Sequence, residues 1–219
     1  MKSKRKNIKF KDFIYTLPKQ LTPNFCQQLI NLYESHPVAT KHRSAGRILA
    51  GNNYDIKQSE DFNITGHQDF AEEDKTLEIA LKKLMHNYIR HLGSFNFAYE
   101  GLFGGEYEDS GFQLQKTTPG GFYDWHHDGT PEGNRRFTYL FYLNDVNHKG
   151  ETQFANGLKI KPEQGKGLMF PANWEYVHRG IAPKDEIKYL CTGWISAVKE
   201  EQPPLDKKRG DLEKELQLI

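Results

Sequence analysis

Helical periodicity stops at Gly93 and does not return before residue 198. Between about 95 and 198 the chain runs in short stretches rich in aromatic and β-branched residues. Gly104-Gly105, Pro119-Gly120-Gly121 and Gly133-Asn134 cut these stretches apart. A pattern of this kind cannot wind into a helical bundle, and it predicts an all-β barrel or jelly roll with helices packed on it. The helices come first in the chain. Thr22-Pro23 is a helix start, with Thr22 as cap and Pro23 at the first helical position. Phe25, Cys26, Leu29, Ile30 and Tyr33 follow at helical spacing, and a second helix begins near Asp74. Its apolar stripe is Leu77, Leu81, Leu84, Met85, Tyr88, Ile89 and Leu92, with Gly93 as the stop. The predicted class is therefore mainly β with flanking helices (α+β). Residues 8–17 read as a short strand or extended lead-in, and 36–70 as a long polar loop with one strand. Three regions are expected: a helical and loop region over 1–94 packing on the core, a β core over 95–198, and a charged tail over 199–219. The tail contains Pro203-Pro204 and ends in a short helix from Asp211.

His126-His127-Asp128 sits inside the β region, with His178 and Lys188 further along. In an extended strand residues i and i+2 point to the same side, so His126 and Asp128 converge while His127 points away. A histidine from a distant strand, His178, closes a set of two imidazoles and one carboxylate. Such a facial triad leaves coordination positions open, and ferrous iron is the metal expected in it. On the strand around Lys188, the residues Lys188, Leu190, Thr192 and Trp194 share one face by period two. Thr138, Leu140 and Tyr142 share a face in the same way.

Bulk composition narrows the classes. Of the 219 residues 37% are apolar, enough for a core. No run approaches the eighteen or so apolar residues a membrane span needs, and the basic start Met1-Lys2-Ser3-Lys4-Arg5-Lys6 is not followed by an apolar signal core. A formal net charge of +1 gives no global attraction to polyanions. The two cysteines, Cys26 and Cys191, make no disulfide framework, and Cys191 reads as a small core residue; a reducing, cytoplasmic location is expected.

The β segment resembles the iron(II)- and 2-oxoglutarate-dependent dioxygenases, in their prolyl 4-hydroxylase-like branch. The residues that carry the resemblance are Gly120-Gly121-Phe122-Tyr123-Asp124-Trp125-His126-His127-Asp128, then Arg136-Phe137-Thr138-Tyr139-Leu140-Phe141-Tyr142-Leu143-Asn144-Asp145. Gly150-Glu151-Thr152-Gln153-Phe154, Pro162 to Pro171, His178-Arg179-Gly180 and Lys188-Tyr189 follow in the same order. The resemblance covers roughly residues 95–196. It implies a double-stranded β-helix with iron at the mouth of the barrel, held by His126, Asp128 and His178. Asp128 sets the chain apart from halogenating relatives, which lack the carboxylate. The resemblance further implies Fe(II), 2-oxoglutarate and dioxygen as cofactor and cosubstrates, with ascorbate as an accessory reductant. Lys188, ten residues after His178 as in collagen-type hydroxylases, is expected to hold the distal carboxylate of 2-oxoglutarate. Thr192 would offer a hydroxyl nearby. Tyr142 is either a cosubstrate contact or a core aromatic. One departure stands out: where prolyl hydroxylases usually carry a tyrosine near the cosubstrate, this chain has Gln115-Lys116-Thr117, and either Gln115 or Lys116 takes that role or the contact is lost.

The expected activity is hydroxylation of a substrate carbon with release of succinate and carbon dioxide, the leading substrate being a prolyl residue in a peptide or protein. A small-molecule or free amino-acid hydroxylase, a nucleic-acid demethylase and a non-enzymatic jelly-roll binding module are the alternatives. No membrane partner is expected. The loops at 36–70 and 101–111 are expected to choose the substrate. Trp125, Trp174 and Tyr176 line a cleft or belong to the core. Arg43, Arg135 and Arg136 either steer an acidic or peptide substrate or are solvated.

Overall fold

A computed structural model describes residues 8–48, 51–95, 106–130 and 133–198. The chain enters through a 3-10 turn at Phe10–Phe13 into β1 (Tyr15–Leu17), then α1 (Pro23–Ser35) and α2 (Pro37–His42). Strands β2 (Ser44–Ala45) and β3 (Glu60–Asn63) precede the long helix α3 (Ala71–Gly93). The rest is strand: β4 (Tyr107–Asp109), β5 (Gln113–Thr117), β6 (Tyr123–His126), β7 (Arg135–Tyr142), β8 (Thr152–Phe154), β9 (Lys159–Ile160), β10 (Gly167–Pro171), β11 (His178–Gly180) and β12 (Lys188–Ala197).

Two antiparallel sheets result. The larger has the order β1-β10-β7-β12-β5-β3-β2, with β4 pairing the far end of β12; the smaller has the order β6-β11-β8-β9. The region before residue 95 is thus more than a helical layer, because it supplies β1, β2 and β3 to the larger sheet.

The helices form where the chain's local signals place them. Thr22 Oγ1 accepts the Phe25 N–H at 3.3 Å and Pro23 opens α1. Helix α3 starts at Ala71, slightly ahead of Asp74, with Glu72, Glu73 and Asp74 in its first turn and Arg90 and His91 in its last, each charge complementing the helix dipole. Its buried stripe, Leu77, Leu81, Leu84, Tyr88 and Leu92, packs on the larger sheet.

Strand β7, Arg-Arg-Phe-Thr-Tyr-Leu-Phe-Tyr, shows how the two sheets divide the core. Phe137, Tyr139 and Phe141 join the cluster under the helices, while Leu140 and Tyr142 join a second cluster with Phe154, Leu168, Phe170 and Leu190. Both faces are buried, so the strand reads as a continuous apolar run. Strand β12 beside it obeys the same parity: Cys191 and Ile195 turn to the helices, Leu190 to the second cluster.

The polar segment 36–70 is more ordered than a loop. His36 Nδ1 accepts the Val38 N–H at 3.3 Å and Pro37 opens α2, a helix of six residues, too short for an apolar period to show. Strand β3 has one strongly apolar inward residue, Phe62, opposite Leu114 of β5. Pairing with β5 makes this strand; its own composition does not. Gly104-Gly105, the first part of the 101–111 loop and the 199–219 tail, with the helix expected from Asp211, lie outside the described residues. No described helix is long and apolar enough to cross a membrane.

Gly193 of β12 shows how closely this sheet is packed. A Cβ there would overlap the Tyr139 hydroxyl and stand 2.5 Å from the Gly111 carbonyl oxygen. That hydroxyl donates to the same carbonyl at 2.9 Å. Gly193→Ala is therefore expected to break this bond and overpack the helix-side core, costing about 1–3 kcal/mol. A urea midpoint unchanged from the wild type would show that β12 can shift to accommodate the methyl group.

Candidate metal centre

His126 ends β6 and His178 opens β11, and the two face each other across the antiparallel register of the smaller sheet. Asp128 follows β6 by two residues and turns to the same side. Its Oδ2 lies 3.5 Å from His178 Nε2, and its Oδ1 lies 3.9 Å from His126 Nε2. One ligand atom from each of the three lies within 4.8 Å of the others. The triad expected from spacing is thus brought together.

The second nitrogen of each imidazole fixes its orientation. His126 Nδ1 meets the Asp124 carbonyl at 2.7 Å, and His178 Nδ1 meets the Tyr176 carbonyl at 3.0 Å. A carbonyl only accepts, so each Nδ1 carries the proton and each Nε2 lone pair is left for a metal. Burial, reinforced by the neighbouring His178, holds His126 down to about 3, so it stays neutral and free to ligate. Burial pushes the Asp128 carboxyl up, but the two imidazoles and the Thr138 hydroxyl outweigh it and keep the carboxylate below its usual range. Thr138 Oγ1 donates to Asp128 Oδ2 at 2.7 Å, and Arg135 donates to the Asp128 carbonyl at 3.2 Å. The Trp194 indole N–H faces the same carboxylate but has no hydrogen-bonding partner among the described residues. Two imidazoles and one carboxylate, each oriented by a second contact, fit a ferrous ion with open positions.

The triad lines a narrow cavity of about 80 Å³ between the sheets. Lys188, Leu190, Thr192 and Trp194 all line it, as their shared parity requires. Lys188 Nζ is buried and donates to the Gly150 carbonyl at 3.1 Å. Burial lowers its pKa to about 8, against a weaker opposing pull from Glu151. No ion pair is made by this ammonium among the described residues, and the fit it offers is to a carboxylate from outside the chain. Thr192 lies on the wall, but its hydroxyl proton is committed to the Tyr139 carbonyl at 2.9 Å. Tyr142 points to the cavity side yet stands one layer back, fully buried, with its hydroxyl 2.7 Å from Thr152 Oγ1. Thr152, not Tyr142, reaches the cavity.

Gln115 and Lys116 separate by parity. Gln115 lies opposite Leu190 and lines the cavity, whereas Lys116 turns away to pair with Glu34 at 2.7 Å. His127 also turns away, into a separate groove of about 670 Å³ that contains none of the three ligand residues. The larger opening is therefore not where metal chemistry could occur. Trp174 is exposed on that groove, and Tyr176 is buried against Phe10, their ring centroids 4.3 Å apart. Trp125 lies under Arg179, whose guanidinium is 4.6 Å from the ring centroid. Arg43 is held by Glu34 and Glu60 and lies over Tyr33, a structural role.

Three cavity residues, Arg47, Lys57 and Ser59, lie outside the motif order; Tyr123 lies within it, and the motif assigns it no role. Tyr123 stacks on His126 at 3.5 Å between centroids and 11° between planes. Lys57, over Tyr123 at 5.0 Å, pairs with Asp61 at 2.7 Å inside the protein. Ser59 and Arg47 complete that wall. The segment that bears them is stitched to the edge of β6: the Gln58 N–H donates to the Phe122 carbonyl at 2.7 Å and the Asp124 N–H to the Ile56 carbonyl at 2.8 Å.

Residues 112–196 match the profile of the 2OG-Fe(II) oxygenase superfamily. Comparison with curated proteins finds no match. Among solved structures the chain is similar to a viral collagen prolyl hydroxylase from Paramecium Bursaria Chlorella virus-1, at 20% identity and a TM-score of 0.60, covering 85% of this chain and 97% of that one. It is similar to a Trichoplax adhaerens prolyl hydroxylase solved with a hypoxia inducible factor oxygen degradation domain peptide, at 19% identity and a TM-score of 0.67, covering 85% and 84%. A Pseudomonas putida prolyl-4-hydroxylase matches at 16% identity and a TM-score of 0.61, covering 84% and 92%. At these identities the likeness is one of fold.

Proposed function

The core of this chain belongs to the 2OG-Fe(II) oxygenase superfamily, and from that premise we propose that the protein hydroxylates a prolyl residue of a peptide or protein. Decarboxylation of 2-oxoglutarate to succinate and carbon dioxide accompanies the hydroxylation, with ascorbate as an accessory reductant. The observation that carries this reading is Lys188: a buried ammonium without a carboxylate partner among the described residues, on the wall of the cavity that also holds the triad. The fold shared with prolyl hydroxylases, one of them solved with a peptide, supports the substrate class. Two buried free thiols, Cys26 and Cys191, support a cytoplasmic location.

When bound, iron(II) at His126, Asp128 and His178 supplies the open positions at which 2-oxoglutarate and dioxygen react. The chain's own residues do the rest. Thr138 and the two backbone carbonyls hold the ligands in one geometry before metal arrives, which removes the cost of ordering them. Lys188 pairs with the distal carboxylate, and Thr152, backed by Tyr142, offers a hydroxyl on the same wall. Leu140 and Leu190 keep water off this polar cluster. Of the Gln115-Lys116-Thr117 stretch found where related enzymes use a tyrosine, Gln115 and Thr117 line the cavity and Lys116 does not.

Proline-containing peptides, supplied with iron and 2-oxoglutarate, are expected to raise succinate release above the uncoupled background and to gain the mass of one oxygen as hydroxyproline. Stimulation by free amino acids or nucleic acid, with none from any peptide, would overturn the substrate class while leaving the cofactor chemistry standing.

A further inference from the structure

Three cations line the metal cavity among the described residues: Arg47, Lys57 and Lys188. Two of them are accounted for. Lys57 is buried against Asp61, whose other oxygen accepts from Ser59 Oγ at 2.8 Å, so its charge is balanced inside the wall. Lys188 lies deep in the cavity and, in the function proposed above, answers the cosubstrate. Asp128, the sole anion of the lining among the described residues, belongs to the triad. Arg47 remains. It is exposed at the cavity wall and makes no hydrogen bond or ion pair to another described residue.

The backbone under Arg47 is pinned. The Gly46 N–H donates to the Ser59 carbonyl at 2.8 Å, and Ile48 exchanges backbone bonds with Gly51 at 2.9 and 3.0 Å. Gly46 sits close to that wall: a Cβ there would overlap Ser59 Oγ and stand 2.8 Å from Lys57 Cε. The close approach fastens the Arg47 segment to the Lys57–Asp61 wall. The guanidinium is thus presented from a pinned backbone on the wall of the cavity that also holds Lys188 and the triad.

We propose that Arg47 reads an acidic residue of the peptide substrate close to the hydroxylated proline, making this enzyme selective for acidic peptides. The inference rests on the prolyl hydroxylase reading. A planar guanidinium recognises a carboxylate through two parallel hydrogen bonds, which a lysine at the same place would not. Because Arg47 is exposed, the pair is screened by solvent, and the preference is about three- to fivefold at moderate salt, shrinking as salt rises.

The test compares two matched peptide sets, one with Glu or Asp at the positions flanking proline and one with Lys there. Hydroxyproline formation is measured with the iron-loaded full chain. The wild type is expected to use the acidic set with a kcat/KM about three- to fivefold higher. Arg47→Ala is expected to lose the preference and Arg47→Glu to reverse it. Each ratio is internal to one variant, so a general loss of activity or folding does not imitate the result. Equal use of both sets by the wild type, or an acidic preference that survives Arg47→Glu, overturns this inference alone. Failure of every peptide in both sets, with 2-oxoglutarate still consumed, overturns the prolyl reading and this inference with it.

Discussion

Replacing His178 with alanine is expected to abolish stoichiometric iron(II) binding and to reduce 2-oxoglutarate turnover to background. His178 Nε2 faces Asp128 at 3.5 Å and its Nδ1 is held by the Tyr176 carbonyl, and among the described residues the cluster holds no fourth His, Cys, Asp or Glu to take its place. Two ligands remain after the substitution, and two leave the ion without the face that orders it. Anaerobic titration with ferrous iron reads the stoichiometry directly. Two further variants calibrate the result. Thr138→Ala removes the donor to Asp128 Oδ2 and is expected to weaken iron about ten- to a hundredfold, the usual effect of a group that only orients a ligand. His127→Ala, on the opposite strand face, is expected to keep full stoichiometry. Full turnover by His178→Ala would remove the metal assignment. Loss of iron in His127→Ala would mean that the parity of β6 past its end is not as the structure has it.

Lys188 is expected to separate function from stability. Losing a charge-assisted contact to a carboxylate costs roughly 1.5–3 kcal/mol, so Lys188→Ala should raise the apparent KM for 2-oxoglutarate about ten- to a hundredfold. Lys188→Arg should not restore it, because the guanidinium is longer and bulkier than the ammonium it replaces. The cosubstrate-free protein should behave in the opposite direction. Burial lowers the Lys188 pKa from 10.5 to about 8, so below pH 8 the folded state carries a buried charge that costs stability. The unfolded chain binds more protons between about pH 8 and 10.5, so this group's penalty is relieved as pH rises through that window. Lys188→Met at neutral pH is therefore expected to stabilise the cosubstrate-free protein by about 2 kcal/mol while abolishing tight 2-oxoglutarate binding. Affinity carries its own pH dependence. A bound dicarboxylate favours the ammonium, so binding takes up a proton above pH 8, and affinity is full below that pH and falls as pH rises through it. Denaturant melts and binding isotherms across pH 7–10 measure both. A destabilised Lys188→Met protein, or flat affinity to pH 10, would show that Lys188 already has an anionic partner.

Wherever the strand period of two fixes the answer, the sequence alone gives it. Residues two apart on a strand share a face because successive Cβ atoms alternate, a local covalent constraint that needs no knowledge of neighbours. Hence His126 and Asp128 converge, His127 leaves, and Lys188, Leu190, Thr192 and Trp194 line one wall. Helix α1 and its Thr22 cap, and the apolar stripe of α3, are legible for the same reason. Cross-strand register and depth are not local. Register places Gln115 opposite Leu190 and sends Lys116 to Glu34, a choice two adjacent polar residues do not show. Depth puts Tyr142 behind Thr152: parity gave its face, but the packing of Phe154 and Phe170 around it decided how far it reaches. The segment from Gly46 to Asp61 reads as a polar loop, since its order comes from backbone bonds to β5 and the edge of β6 and not from an apolar period of its own. That segment carries Arg47 and Lys57 to the cavity, so two of the charged groups that share it with the triad were settled by tertiary pairing, which no short stretch of sequence encodes.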